Sequence, residues 1–185
     1  MIIIIPGFFR TKEFYKPLCT NLEQAGFRAK IVNLGRNTKG LKFASQEVLK
    51  VLDKDPKVNV VIAHSFGGII LKYIFLVHLK TKEQIQKIVF ISVPHQGSWA
   101  ALFVPFFGTT RDLIPLRRHF KKLANLSLMK PAINLLPQRE IKIWPKASRF
   151  FNNQNSIVIS NTNHDNIVNS RECALEIINF IRQEH

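Results

Sequence analysis

Ser65 stands in the run Ala63-His64-Ser65-Phe66-Gly67-Gly68, after Val58, Val60, Val61 and Ile62 and before Ile69, Ile70, Tyr73, Ile74 and Val77. The β-branched run reads as a strand buried on both faces of a parallel sheet. The three- and four-residue spacing after it reads as a helix with one apolar stripe and with Lys72 pointing away from that stripe. A serine on the sharp turn between such a strand and helix is a nucleophile elbow, its hydroxyl lifted above the sheet edge at a strained backbone angle. Small residues are needed two before and two after the serine because strand and helix nearly touch there, and Ala63 and Gly67 meet that need. The same letters also describe a plain turn in which Ser65 caps the helix and His64 is a satisfied polar side chain. The flanking strand and helix favour the elbow.

A serine hydroxyl attacks only when a base takes its proton, and the base works only when a third group fixes its tautomer. In elbow proteins the order is serine, acid, histidine. Of the six histidines, His119, His164 and His185 follow Ser65 at sufficient distance. His185 is the last residue, and His119 sits among basic residues on a predicted helix, as on a solvated face. His164, in the polar run Asn161-Thr162-Asn163-His164-Asp165-Asn166, is the expected general base. For the acid we favour Glu140, in Gln138-Arg139-Glu140-Ile141-Lys142-Ile143-Trp144-Pro145, over a reading of it as a surface glutamate. The alternatives are Asp112, which would equally serve as a favourable charge opening the basic helix, and Asp165, a sequence neighbour of His164. Attack on an acyl carbon creates an oxyanion that needs two backbone N–H donors. Phe66 supplies one, and Phe8, after the permissive Gly7, is expected to supply the other. Their rings suit an acyl pocket or ordinary core packing.

These groups need elements to hold them. Met1–Ile5, Phe27–Val32, the run before Ser65, Lys87–Val93, a weak Ala132–Leu136 and a clearer Ser156–Ser160 read as six strands. Between them, Phe14, Leu18, Leu22 and Ala25 form one helical stripe ended by Gly26, and Ala44, Val48, Val51 and Leu52 a second, ended before Pro56. Arg111–Ala124 reads as one helix with Leu113, Leu116, Phe120 and Leu123 on one side and Arg117, Arg118, Lys121 and Lys122 elsewhere. A last helix starts after Ser170, with Glu172 in its first turn, and buries Ala174, Ile177, Ile178 and Ile181. This alternation predicts the α/β class: a three-layer α/β/α sandwich on a mostly parallel sheet of about six strands. Polar clusters follow the strands, where ligands bind in such sheets. Trp99–Thr110 is apolar and broken by Pro105 and Gly108. We expect one domain over 1–185, with a small cap- or lid-like segment at about 97–130.

At 185 residues the chain suffices for a three-layer core without a separate substrate domain. The apolar start stops at Pro6-Gly7, short of a signal peptide, and no apolar run reaches membrane-spanning length, so the expectation is a soluble, cytoplasmic protein. Cys19 and Cys173 are isolated, expected to be buried thiols, and form no metal spacing. The net charge of +15 favours anionic partners. Specific nucleic-acid recognition is not expected, since the basic residues are dispersed and no aromatic-basic motif accompanies them.

In these motifs the chain resembles a small α/β-hydrolase of the lipase or esterase type. Its elbow is similar to the alanine-containing elbow of small bacterial lipases. Val93-Pro94-His95-Gln96-Gly97-Ser98 resembles the Thr-Pro-His-x-Gly-Ser/Thr stretch of many lipases, whose histidine is not catalytic. Glu140 through Pro145 resembles the Asp-x-x-Val-x-Pro segment that carries the family's acid, and His164 falls where its base does. Pro6-Gly7 replaces the usual His-Gly, and glutamate the commoner aspartate. The resemblance implies carboxylic-ester hydrolysis through an acyl-enzyme, with no metal or organic cofactor. The segment Trp99–Phe107 lies where a lid or acyl-contact segment would be, which implies a lipophilic ester or lipid substrate. Phe9, Trp99, Phe103 and Phe106 are the expected substrate contacts. Arg117, Arg118, Lys121 and Lys122 beside that segment suggest peripheral contact with an anionic membrane surface. Acyl transfer to an acceptor other than water, and a non-catalytic lipid- or partner-binding module on the same scaffold, are the alternatives.

Overall fold

Short β-branched runs build the sheet that the site stands on. In the computed structural model, which describes residues 1–124, 126–128, 130–151 and 155–183, the strands are β1 (Ile2–Ile5), β2 (Ala29–Ile31), β3 (Val60–His64), β4 (Lys87–Ile91), β5 (Ala132–Arg139) and β6 (Asn155–Asn163). They form one sheet in the order β2-β1-β3-β4-β5-β6, and every pairing is parallel. The two-residue period of the strands sorts their side chains into two cores. Ile3, Ile5, Val61, Ala63, Ile88 and Phe90 belong to one. Ile2, Ile4, Val60, Ile62, Val89 and Ile91 belong to the other. Burial of each of these Ile, Val and Phe side chains favours the fold by about 2 kcal/mol.

The helices are α1 (Lys16–Gln24), α2 (Leu41–Lys54), α3 (Phe66–Val77), α4 (Leu79–Gln84), α5 (Gly108–Asp112), α6 (Arg118–Ala124) and α7 (Arg171–Arg182). Leu18 and Leu22 of α1 join Ala174 and Ile177 of α7 in the second core. Val48 and Leu52 of α2, Ile70 and Ile74 of α3, and Phe120 and Leu123 of α6 lie in the first. Helices therefore cover both faces, which makes three layers. Because β1 has β2 on one side and β3 on the other, the chain winds outward in opposite directions from these two strands. A crevice opens at the carboxyl ends of β1 and β3.

Several expectations need correction. Lys72 is fully buried, because the residues after β4 and Phe151 cover the helix face that periodicity leaves to solvent. Val77, placed in the apolar stripe, is 49% exposed at the helix end. Arg111–Ala124 is two short helices; Pro115 lies between them, with no N–H for a helical bond and a ring that disfavours helical geometry before it. Leu116 consequently faces solvent. The first helical stretch opens with a 3-10 turn, Lys12–Tyr15, before α1, and Tyr15, outside the predicted stripe, is completely buried. The strand expected over Phe27–Val32 keeps only Ala29–Ile31, whereas the weak fifth strand runs eight residues to Arg139. Cys19 is half-buried and only Cys173 is buried. His185, set aside as a base, lies outside the described residues.

Candidate active site

Ser65 lies between β3 and α3 with φ of 51° and ψ of −121°, a backbone region that costs free energy and persists only where the surroundings enforce it. Here they do. A side chain at Gly67 would place its first carbon 2.3 Å from the Ile5 carbonyl oxygen, and one at Gly68 would meet Val93 at 2.4 Å. The turn after β1 is as close on the other side, where a side chain at Gly7 would come within 2.9 Å of Ser65 Cβ. Strand, elbow and helix fit only because these positions are empty.

The polar residue after β5 and the one after β6 converge on the serine. His164 Nε2 lies 3.0 Å from Ser65 Oγ, and His164 Nδ1 lies 2.9 Å from Glu140 Oε2. A carboxylate only accepts. Nδ1 therefore carries the ring proton, and Nε2 is left free to accept the serine O–H. The Glu140 side chain has no exposed surface, unlike a surface glutamate. Its other oxygen accepts the N–H of Lys142 at 2.8 Å and of Ile143 at 3.3 Å, so both carboxylate oxygens are occupied and the group cannot turn.

The acid segment is held in turn by the run after β4. Ser98 Oγ donates to the Lys142 carbonyl at 2.9 Å and accepts the Trp144 N–H at 3.0 Å. Ser148 Oγ bridges Gln96 N–H and the Gly97 carbonyl. His95 is buried, and burial pushes its pKa well below the usual imidazole range, with Lys72 adding to the effect. Its ring stacks on Phe151 and lies apart from the serine.

The other two acids do different work. Asp112 ends α5, where it accepts the Leu41 N–H at 2.7 Å and so caps α2 rather than opening a basic helix. Asp165 binds Lys142 Nζ at 2.6 Å and also Arg10. Burial alone would raise its pKa, but the hydrogen bond and charge of Lys142 and the charge of Arg10 lower it. This one carboxylate ties together the segments after β1, β5 and β6. His119, expected on a solvated face, is half-buried and hydrogen-bonded to the Asp112 carbonyl at 2.8 Å.

A cavity of about 500 Å³ opens beside Ser65 and His164, lined by Phe8, Phe9, Pro94, Ala100, Ala101, Val104, Leu113 and Ile143, with Arg10, Lys142 and Asp165 also in its wall. Apolar side chains dominate it. Phe9 is in this wall; Trp99, Phe103 and Phe106 are not: the 3-10 turn Trp99–Phe103 contributes its alanines to the cavity and holds Phe103 in solvent, and Phe106, beyond the turn, is exposed as well. A second cavity of about 580 Å³, at the amino ends of the strands, is lined by Arg28, Lys57 and Lys87 among others and contains no serine or histidine. As the first residue of α3, Phe66 has an N–H without a partner inside the helix. The amides on either side of Phe8 are committed, Gly7 to Tyr15 Oη and Phe9 to the Arg36 carbonyl. Among the described residues no cluster of side chains suits a metal ion.

Sequence patterns did not reveal Arg10, Tyr15, Lys142 or Ser98 as parts of this site. Only Ser98 had a signal, its place in the Pro-His-x-Gly-Ser run.

A family model described as lecithin:cholesterol acyltransferase matches residues 36–184. No curated protein sequence matches the chain significantly. Among solved structures, the lipase BlEst2 of Bacillus licheniformis in its mature form is 11% identical, with 97% of this chain and 89% of that one covered at a TM-score of 0.75. A bromoperoxidase from Bacillus anthracis is 10% identical over 98% and 91% of the two chains at 0.74. A monoacylglycerol lipase from Paleococcus ferrophilus is 13% identical over 97% and 91% at 0.72. At such identities the likeness is one of fold.

Proposed function

The chain belongs to the lecithin:cholesterol acyltransferase family and has the α/β-hydrolase fold, and on that footing we propose that it cleaves carboxylic esters of lipophilic acyl groups with Ser65 as nucleophile. The observation that carries this reading is the unbroken series Ser65 Oγ, His164 Nε2, His164 Nδ1, Glu140 Oε2 at 3.0 and 2.9 Å. The serine proton passes to His164 Nε2 as Oγ bonds to the acyl carbon, and the carbonyl oxygen becomes an oxyanion between the Phe66 and Phe8 amides. Collapse breaks the ester C–O bond while Nε2 returns the proton to the departing alcohol. Water then repeats the attack on the acyl-enzyme and releases the acid. Glu140 holds the tautomer and stabilises the imidazolium formed at each attack. The apolar cavity supports a lipophilic acyl group.

The family description favours a second outcome for the same intermediate, acyl transfer to an alcohol in place of water. It needs no change in the residues. The surface around the cavity supports delivery from an anionic lipid layer: Phe103, Phe106 and Ile141 are more than 80% exposed, and the chain carries Arg117, Arg118, Lys121, Lys122 and Lys142 in the same segments. Among the described residues no helix is long and apolar enough to cross a membrane.

The test is labelling by a fluorophosphonate, with Ser65 expected as the modified residue, followed by nitrophenyl esters of increasing chain length with and without an added long-chain alcohol. Longer esters should be preferred. No labelling at Ser65 would refute the reading, and ester product formed with the alcohol would assign transfer. Vesicle sedimentation should show tighter binding to anionic than to neutral lipid, weakening with salt.

A further inference from the structure

Beneath the elbow, two wholly buried rings join the turn after β1 to the loop after β6. Gly7 N–H lies 2.8 Å from Tyr15 Oη, Tyr15 Oη lies 2.8 Å from His64 Nδ1, and His64 Nε2 lies 3.3 Å from the carbonyl oxygen of His164. Tyr15 and His64 are at most 1% exposed, and Phe14 stacks on the imidazole at 21°.

The proton positions along this chain follow from its two ends. An amide N–H can only donate, so Tyr15 Oη accepts from Gly7 and its own proton goes to His64 Nδ1. Nδ1 is then the bare nitrogen of the ring, and the ring proton sits on Nε2, aimed at the His164 carbonyl. The opposite tautomer would set a nitrogen lone pair against a carbonyl lone pair. Burial, with the charge of His164 next, drives the His64 pKa well below the usual range, and burial raises that of Tyr15. Both groups therefore stay neutral, and the donors run one way, from the turn that carries Phe8 to the backbone of the base.

We propose that Tyr15 and His64 are positioning residues that couple the turn bearing the Phe8 N–H to the loop bearing His164, so that oxyanion donor and base keep one fixed spacing about Ser65. This inference rests on Ser65 being the nucleophile. Gly7 lies against the elbow with no room for a side chain, and His164 contributes to the chain with its backbone, which leaves both of its ring nitrogens for Ser65 and Glu140. Misplacing such groups by about 1 Å costs about a hundredfold in rate. Phe8, Phe9 and His64 line the cavity too, but most of its wall, from Pro94 to Leu113 and from Ile141 to Ile143, lies on other segments, so the loss belongs mainly in kcat rather than KM.

The experiment uses Tyr15→Phe, His64→Gln, His64→Leu and the double variant Tyr15→Phe/His64→Gln, with turnover counted per site that takes up a fluorophosphonate, so that loss of folded protein does not enter. Tyr15→Phe should lower kcat by about 10- to 100-fold with KM within about twofold. His64→Gln, whose amide can still donate to the His164 carbonyl, should retain more turnover than His64→Leu. Adding Tyr15→Phe to His64→Gln should cost little more. In the resting protein at neutral pH, nitrogen NMR of labelled histidine should show His64 protonated at Nε2 and bare at Nδ1. Tyr15→Phe with kcat within twofold of the parent overturns the proposal, as does His64 protonated at Nδ1. A parent that takes no label at Ser65 brings down the hydrolase reading as well, whereas a labelled parent with a fully active Tyr15→Phe brings down this one alone.

Discussion

Lys72 places its ammonium nitrogen 3.9 Å from the centre of the Phe151 ring, in the interior of the protein. The nitrogen also donates to the His95 carbonyl at 3.3 Å, and burial lowers its pKa from 10.5 to about 7. Between these values the unfolded chain binds the proton that the folded chain has released, so the contribution of Lys72 to stability rises with pH across that window. Below about 7 both states are charged and the burial penalty is complete, on the order of a few kcal/mol. Lys72→Met should therefore be more stable than the parent at pH 6, and the difference should shrink steadily towards pH 10. Chemical denaturation of both proteins at pH 6, 8 and 10 checks this; a difference that stays constant with pH contradicts it.

Glu140→Gln should nearly abolish turnover for a reason specific to this site. Oε1 receives two backbone N–H groups, so a glutamine would keep its oxygen there and turn its NH2 towards His164 Nδ1. The imidazole must then accept at Nδ1 and carry its proton on Nε2, where it faces the serine and cannot take a proton from it. A loss of about 10³- to 10⁴-fold in kcat is expected, with KM little changed. Asp165→Asn and Asp112→Asn serve as comparisons and should keep turnover within a few-fold of the parent. If either loses turnover while Glu140→Gln keeps it, the acid has been misassigned.

Asp165 is half-exposed, and its links to Arg10 and Lys142 should contribute no more than about 1 kcal/mol. Its folded-state pKa is lowered, so that contribution is present above the ordinary carboxyl value and disappears as pH falls through the folded one. Asp165→Asn should lower Tm slightly at pH 7 and low salt, by less in 1 M salt, and not at all below the folded pKa. Calorimetry at these conditions measures it, and a salt-independent loss of Tm would show that the carboxylate acts in another way.

The two glycines after Ser65 should respond differently to alanine. At Gly67 the obstacle is the Ile5 carbonyl, part of the sheet backbone, whereas at Gly68 it is the side chain of Val93. Gly67→Ala should therefore yield little folded protein. Gly68→Ala should be destabilised by about 1–3 kcal/mol, and a second change, Val93→Ala, should recover part of that loss while giving Gly67→Ala no relief. Equal rescue of both by Val93→Ala would mean that the elbow is less constrained than its contacts imply.

Local patterns were sufficient for the existence of the six strands, though not for their bounds, for the elbow, and for picking Ser65, Glu140 and His164, which the structure places in one hydrogen-bonded series. Ser65 has a fixed spacing to small neighbours, and Glu140 and His164 each follow a strand, so their side of the sheet follows from topology. What periodicity could not supply was anything decided by segments far apart in the chain. Lys72 breaks an apolar stripe and reads as solvated, yet it is buried, with the His95 carbonyl and the Phe151 ring against its ammonium group. Tyr15 falls outside the stripe of the first helical segment, and its partners are 8 and 49 residues away. Asp112 has the chemistry of a helix start, but the helix it caps begins 71 residues earlier. Trp99 and Phe103 are apolar enough for a cavity wall; the backbone of the 3-10 turn turns the intervening alanines inward instead.

The outermost position of β6 bears on the order in which the protein is made. When residues 1–150 have been synthesised, the elbow, the Phe8 turn and Glu140 are all present in the chain, but the strand that carries His164 to the serine has not yet added to the sheet edge. A nascent chain at that stage holds Ser65 and Glu140 without the imidazole that lies between them in the finished fold. On the proposed mechanism, the series Ser65, His164, Glu140 is complete only once β6 has docked beside β5 and brought His164 to the serine.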